Sequence, residues 1–262
     1  MSIQPIPNRC IWCSRRPPEA IFNENHVLPE CVGNKQQILP AGIVCASCNN
    51  YFGSKIEPVF LDDPFFHIIA VVLSLVDPDD MNAFRNRLFD QSHPPDAPVQ
   101  KSLNVSASIA KNQVNLNVAY EIKGSMSRSY TPRQLSFLSR AIHKVAFECL
   151  AYEVFVKGIE SPPDLFSPQF EHVRLWAREG QPRSFARPVL RRMPQKLSTE
   201  WEFRMWKFEE DIGFEIRMFG DWYGVSLTSL HTETLNHLRK WVGSQTKDVW
   251  YISDSMVKLD DP

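Results

Sequence analysis

Six cysteines are the residues whose type and spacing most clearly suggest chemistry in this chain. Four of them form two Cys-x-x-Cys pairs, Cys10 with Cys13 and Cys45 with Cys48. A gap of two residues lets both thiolates of a pair reach one ion, and two pairs supply the four ligands of a tetrahedral zinc site. We therefore predict a structural Zn²⁺ that folds a segment too small for its own core. The alternative is a chance pairing of buried thiols, and Cys31 is interpreted as a bystander.

The segment around the two pairs carries a longer pattern. Residues 22–33 read Phe-Asn-Glu-Asn-His-Val-Leu-Pro-Glu-Cys-Val-Gly, residues 49–53 read Asn-Asn-Tyr-Phe-Gly, and residues 55–57 read Lys-Ile-Glu. Together with the cysteines, this pattern resembles the zinc-knuckle branch of the HNH, or ββα-metal, endonucleases. Its four cysteines, inner histidine and following asparagine are also arranged as in phage endonuclease VII. The resemblance covers about residues 8–58 and implies an N-terminal HNH unit.

The resemblance implies a role for each matching residue. His26 is expected to be the general base that activates water. Asn25 and Asn49 are expected to bind one Mg²⁺ or Mn²⁺ through their amide oxygens, because these hard cations prefer oxygen ligands. Such a cation polarises the scissile phosphate. The zinc is expected to hold the hairpin that carries His26 against the helix that carries Asn49. Lys55 is a candidate phosphate contact, and the alternative is a solvated lysine.

Two positions depart from the family pattern. The family has Glu or Asp directly before the histidine, where this chain has Asn25. The loss of a negative charge lowers the expected affinity for the catalytic cation, so an Asn25→Asp substitution is expected to raise activity at low Mg²⁺. The central Asn of the family motif falls near Pro40. Both departures support an alternative, in which a weakened HNH module binds nucleic acid without cutting it.

A basic stretch lies far from the cysteines in the sequence. Residues 168–198 contain seven Arg or Lys and two Glu, a local balance of +5, whereas the whole chain has a net charge of −1. Arg183, Arg187, Arg191 and Arg192 are therefore candidate contacts to a DNA backbone, which binds through phosphates. Within it, residues 174–196 are the candidate DNA track, and their Pro and Phe content suggests an ordered loop after the helix predicted over residues 168–179. The alternative is a charged surface loop with no ligand.

Hydrophobic periodicity predicts an α+β fold, in which the HNH unit precedes a helical segment and a domain of antiparallel sheet and helices. Helices are predicted over residues 45–57, 60–76, 131–157, 168–179 and 232–242. Strands are predicted over residues 102–110, 113–122, 201–208, 213–219, 222–228 and 249–252. We interpret residues 1–60 as the catalytic unit, 61–95 as a helical connector and 96–262 as a domain for nucleic-acid recognition or partner binding.

The sequence also limits where the protein acts. No secretory signal is recognisable at the N-terminus. The longest mostly apolar run, residues 65–76, is shorter than the roughly 20 residues of a membrane span. We therefore expect a cytoplasmic protein without membrane contact, in a reducing compartment where paired cysteines favour metal over disulfides.

The expected partner is nucleic acid, with DNA favoured over RNA. A homodimer would suit double-strand cleavage, and restriction, defence and junction cleavage are the roles that the resemblance suggests. A third hypothesis is a signalling or structural protein in which the zinc unit only stabilises the fold.

Overall fold

A computed structural model describes residues 3–29, 36–62, 105–110, 113–118, 132–181, 189–192, 201–208, 211–218, 221–228, 249–252 and 256–258. They form helices and antiparallel sheets, which confirms the predicted α+β class. The helices are α1 (Ala46–Tyr51), α2 (Pro58–Asp62), α3 (Pro132–Tyr152) and α4 (Glu171–Glu179). The strands are β1 (Asn25–His26), β2 (Ile38–Leu39), β3 (Val105–Ala110), β4 (Gln113–Val118), β5 (Val189–Arg192), β6 (Trp201–Phe208), β7 (Asp211–Met218), β8 (Asp221–Ser226), β9 (Val249–Ile252) and β10 (Met256–Lys258).

The N-terminal segment folds as a hairpin followed by short helices. Strands β1 and β2 are antiparallel, with His26 opposite Ile38. The extended backbone of Cys45 leads into α1, and a π-helical turn continues from Phe52 to Ile56. Helix α2 then begins at Pro58, where the fixed φ and missing N–H of proline suit a first helical position. The helix predicted over residues 45–57 is therefore present, divided into an α-helical and a π-helical part.

Helix α3 lies at the centre of the core. Its apolar residues, spaced three or four positions apart, form a buried stripe that includes Leu138, Ile142, Val145 and Cys149. A π-helical turn, Glu153–Lys157, extends the helix to Gly158, whose φ of 74° is readily adopted only by glycine. The helix predicted over residues 131–157 is thus confirmed, and Cys149 is a thiol of the core.

The carboxy-terminal strands form one six-stranded antiparallel sheet in the order β10-β9-β5-β8-β7-β6. The strands predicted over residues 201–208, 213–219 and 222–228 correspond to β6, β7 and β8. Helix α4 confirms the helix predicted over residues 168–179, whereas strand β5 lies where an ordered loop was predicted. Strand β5 pairs with β8 on one side and β9 on the other, so its backbone is hydrogen-bonded on both sides despite its arginines.

The chain divides into two compact units, Met1–Asp77 with Tyr130–Pro262, and Pro78–Ser129. In the second unit, β3 pairs with β4 from Val105 opposite Val118 to Ala110 opposite Gln113, which confirms the predicted hairpin. The first unit combines the N-terminal residues with residues 130–262, and buried N-terminal residues up to Phe60 share a hydrophobic core with α3. None of the helices in the described ranges has the length and apolar character needed to cross a bilayer. Of the helix predicted over residues 60–76, α2 covers the first residues, and the remainder lies outside the described residues, as does the helix predicted over residues 232–242.

Candidate metal centre and hydrolytic site

Four cysteine sulfur atoms meet in the N-terminal unit. The Sγ atoms of Cys10, Cys13, Cys45 and Cys48 all lie within 4.8 Å of one another. The Cys13 and Cys45 sulfurs are 3.7 Å apart. Zinc–sulfur bonds of about 2.3 Å in a tetrahedron separate the sulfurs by about 3.8 Å, so the cluster has the size and the ligand type of a structural zinc site.

The surroundings of the cluster stabilise one thiolate, that of Cys10. The Cys45 N–H donates to Cys10 Sγ at 3.4 Å, and Arg15 Nε donates to Cys13 Sγ at 3.4 Å. The hydrogen bond from the Cys48 thiol lowers the pKa of Cys10 to about 5, and the same contact raises the pKa of Cys48. Burial raises the pKa of Cys45. A thiolate is the form of cysteine that binds metal, so Cys10 is the cysteine of this cluster that most readily offers that form.

Backbone contacts bring the segment before the hairpin to the start of α1. Ile21 O accepts a hydrogen bond from the Ala46 N–H at 2.8 Å, and Phe22 forms an antiparallel bridge with Cys45. Asn49 follows on α1, partly exposed, with its N–H bonded to Cys45 O at 2.9 Å. These backbone contacts of Cys45 and Ala46 therefore fix the start of α1, the helix that carries Asn49.

The two residues of β1 differ in their burial. Because successive side chains of a strand point to opposite faces, Asn25 and His26 face opposite ways. Asn25 is 1% exposed, whereas His26 is partly exposed. His26 is thus accessible from solvent, and Asn25 is directed into the molecule.

A buried lysine of α3 holds the backbone beside His26. Lys144 is 1% exposed and its Nζ donates to His26 O at 3.3 Å and to Val27 O at 3.0 Å. The same Nζ lies 2.7 Å from Glu57 Oε1 and 2.8 Å from Glu148 Oε2. Burial opposes the charge of Lys144, but the two carboxylates outweigh it and raise the pKa of the lysine. The ammonium group of Lys144 therefore links α3, the residue that follows the π-helical turn and the hairpin.

Glu148, one helical turn after Lys144, joins the first cysteine pair to the hairpin. Its Oε1 accepts from Trp12 Nε1 at 2.9 Å, and its Oε2 accepts from Asn25 Nδ2 at 2.7 Å. Burial raises the pKa of Glu148 to about 7, although Lys144 and Trp12 favour the carboxylate and limit the rise. Within the described residues, the buried Asn25 Oδ1 has no hydrogen-bond partner.

This geometry coincides with a family match. Residues 10–65 match the family model described as HNH endonuclease. This segment, about a fifth of the chain, is therefore similar to HNH endonuclease domains. No curated protein and no solved structure matched the chain in the same comparisons. The matched segment runs from the first cysteine pair to just beyond α2, which confirms the resemblance found in the sequence.

The predicted nucleic-acid contacts lie at scattered positions. Lys55 is exposed on the π-helical turn of the matched segment. Arg191 and Arg192 lie on β5, within the six-stranded sheet. Arg183 and Arg187 fall outside the described residues. Of this group, Lys55 alone lies within the matched segment.

Another arginine of the basic stretch has a structural role. Arg174 on α4 is 6% exposed and binds Leu165 O at 2.8 Å and Glu171 Oε2 at 2.6 Å. The local charge of +5 therefore overstates the basic surface of this stretch, because part of it is buried and paired.

Sequence reasoning missed Lys144 and Glu148. Their signal was a Lys–Glu pair at i,i+4 directly beside the apolar stripe of a long helix. Glu57 is part of the sequence motif, but the sequence assigns it no role. Its ion pair with Lys144 gives it a structural role. The central Asn of the family motif falls near Pro40, and in this structure Lys144 of α3 donates two hydrogen bonds to the hairpin backbone.

Proposed function

We propose that the protein is a metal-dependent endonuclease that hydrolyses phosphodiester bonds in DNA. The match of residues 10–65 to the HNH endonuclease family carries this proposal. A partly exposed His26 between two cysteine pairs supports it, because a general base must reach a water molecule. DNA as the substrate, a homodimer and a role in restriction, defence or junction cleavage are parts of the same proposal.

In this proposal, His26 removes a proton from the attacking water. Its strand is held by Lys144, which donates to the carbonyls of His26 and Val27. A fixed backbone keeps the imidazole in one position, and such positioning contributes to rate because little freedom is lost on reaching the transition state. Lys144 and Glu57 therefore support catalysis without touching the substrate.

Asn25 and Asn49 are the proposed ligands of Mg²⁺ or Mn²⁺. The fit rests on the buried Asn25 Oδ1, a hard oxygen acceptor that has no hydrogen-bond partner within the described residues. Asn49 offers a second amide oxygen from a partly exposed position on α1. A divalent cation would polarise the phosphate and stabilise the leaving oxygen.

The four cysteines are the proposed Zn²⁺ ligands, and their role is structural. A site in which all four ligands come from the protein has no open position for substrate. Bound zinc would fix the start of α1, and with it the position of Asn49.

Cleavage of supercoiled plasmid tests the proposed function. We expect wild-type protein to nick or linearise the plasmid with Mg²⁺ or Mn²⁺ and to leave it intact with chelator. A His26→Ala variant should lose this activity by at least about 100-fold, the lower end of what a general base contributes. His172→Ala, which changes a histidine on α4, is the matched control and should cleave like the wild type. Metal-dependent cleavage that survives in His26→Ala would contradict the assignment.

A second candidate is a zinc-stabilised module that binds nucleic acid without cutting it. The neutral Asn25, in place of the acidic residue of the family pattern, favours this candidate because it weakens cation binding. Gel-shift titration of duplex, branched and single-stranded DNA distinguishes the two. Retarded DNA that stays uncut with Mn²⁺ would support the second candidate against the first.

A further inference from the structure

The contact between Asn25 and Glu148 fixes which way the asparagine amide points. Asn25 Nδ2 donates to Glu148 Oε2 at 2.7 Å, across 123 residues of sequence. Both side chains are buried, with relative exposures of 1% and 0%. A carboxylate only accepts hydrogen bonds, and an amide has one donating and one accepting end. The NH₂ end of Asn25 must therefore face Glu148, and its oxygen must point elsewhere.

The remaining contacts of Glu148 keep its carboxylate in place. Trp12 Nε1 donates to Oε1 at 2.9 Å, and Lys144 Nζ lies 2.8 Å from Oε2. Trp12 packs against Phe52 and Phe147 with ring centroids 4.7 and 5.1 Å away, so this donor is fixed as well. An acceptor held by buried partners cannot rotate to suit the asparagine. Glu148 therefore orients Asn25, and not the reverse.

We propose that Glu148 is a positioning residue that holds the Asn25 amide so that its oxygen is free to bind a divalent cation. This inference rests on the proposed function, in which Asn25 is a cation ligand. An Asn25 Oδ1 that is buried and unpartnered within the described residues agrees with such a role, because a buried acceptor without a partner otherwise costs stability.

The same contact explains why a neutral residue suits position 25. An acidic side chain there would set a second carboxylate about 2.7 Å from that of Glu148, where like charges repel strongly. In this protein the negative charge belongs to Glu148 of α3, which contacts the Asn25 amide through its NH₂ end. The asparagine and the glutamate therefore act as a pair, and changing one alone removes the function of both.

Mn²⁺ affinity of the zinc-loaded, full-length protein tests the proposal. In Glu148→Gln, the new amide can donate to Asn25 Oδ1 and draw the oxygen inward. We expect the dissociation constant for Mn²⁺, measured by isothermal titration, to rise about 10–100-fold, the usual effect of removing a residue that orients a metal ligand. Glu153→Gln is the matched control. It makes the same change at a carboxylate that pairs with Lys157 outside this cluster, so its Mn²⁺ affinity should stay within about twofold of wild type.

A double variant tests the pairing directly. In Asn25→Asp with Glu148→Gln, donor and acceptor exchange places and the charge of the buried cluster is conserved. We expect this double variant to regain Mn²⁺ affinity and to be more stable to urea than the sum of the two single changes predicts, which is the mark of coupled residues. Should Glu148→Gln alone fail to fold, the double variant must still fold and bind Mn²⁺, and its failure to do so would overturn the proposal.

The outcomes separate this inference from the proposed function. If the wild type cleaves plasmid and binds Mn²⁺, and Glu148→Gln binds Mn²⁺ as tightly as Glu153→Gln, Glu148 has a purely structural role and the proposed nuclease stands. A wild type that binds no Mn²⁺ and cuts no DNA would overturn both. If the wild type binds Mn²⁺ but cuts no DNA, and Glu148→Gln binds Mn²⁺ more weakly, the positioning role of Glu148 stands and the proposed nuclease activity is wrong.

Discussion

At the scale of single residues, Lys144 is the charge on which the buried cluster depends. It neutralises two carboxylates, those of Glu57 and Glu148, at 2.7 and 2.8 Å. Buried charges are stable only when they are paired, so removal of the one cation leaves two uncompensated anions. The surface ion pair of Lys157 with Glu153 makes a useful contrast, because Lys157 is 53% exposed and water already stabilises it.

Lys144→Met is expected to destabilise the protein by about 3–5 kcal/mol, the usual cost of breaking a buried ion pair. Lys157→Met removes the same charge from an exposed i,i+4 pair and should cost about 0–1 kcal/mol. Urea unfolding of the two variants measures the difference. Equal losses would mean that the lysine of α3 is not the centre of a buried network.

Glu148 also changes an expectation drawn from the sequence. A carboxylate at position 25 was expected to raise activity at low Mg²⁺, since acidic ligands bind Mg²⁺ more tightly. That expectation assumed that nothing negative stood behind Asn25, and the helix that supplies Glu148 begins over a hundred residues later in the chain. We therefore expect Asn25→Asp to support cation binding only in combination with Glu148→Gln.

At the scale of elements, the cysteine cluster joins the N-terminal turn to the start of α1. Each pair offers two ligands, and backbone bonds such as that of Ile11 N–H to Ile43 O at 2.9 Å align the two segments. Helix α1 has only six residues, too few to be stable alone. Its stability must therefore come from the cluster and from packing against α3.

Cys45→Ala is expected to abolish zinc binding, because the three remaining cysteines hold the ion far less tightly than four do. Zinc content by mass spectrometry should fall from about one ion per chain to near none. Cys149→Ala is the matched control, since Cys149 is buried on α3 outside the cluster and its loss should leave zinc content unchanged. Full zinc content in Cys45→Ala would show that the ion is held elsewhere.

The sequence predicted the elements whose signals are local. Two Cys-x-x-Cys pairs, the apolar stripe of α3 and the alternation in β6 each lie within one segment, and all three are present in the structure. Strand β5 escaped because its arginines suggested a solvated loop, whereas pairing on both edges depends on distant strands. The role of Glu57 escaped for the same reason, since its partner Lys144 lies on α3.

At the scale of the whole molecule, the segment that matches the HNH family needs residues from later in the chain to complete its core. Helix α3 contributes both the apolar surface on which this segment packs and the charges at its hairpin. A second junction lies at Arg140 of α3, which donates to the Tyr51 hydroxyl at 2.8 Å and to Ala177 O of α4 at 3.1 Å. Helices from three parts of the chain thus stabilise one another.

A fragment of residues 1–65 is therefore expected not to fold, even with zinc. Trp12 is the only tryptophan in this fragment and is 2% exposed in the full chain, against Phe52 and Phe147. Without α3 the fragment lacks Phe147 and Glu148, so its fluorescence should be that of a water-exposed indole and should change little on adding urea. A cooperative urea transition of the zinc-loaded fragment would mean that the matched segment folds alone.

The distance in sequence between the hairpin and α3 has a consequence during synthesis. On the ribosome, the His26 strand emerges well before residues 132–152, which supply Lys144 and Glu148. At about 5–20 residues per second, the roughly 90 residues from α2 to the end of α3 take on the order of 5–20 seconds to translate. For that interval the nascent chain holds the histidine without the lysine that fixes it. In the proposed nuclease, the catalytic histidine is thus held in position only after α3 has been made.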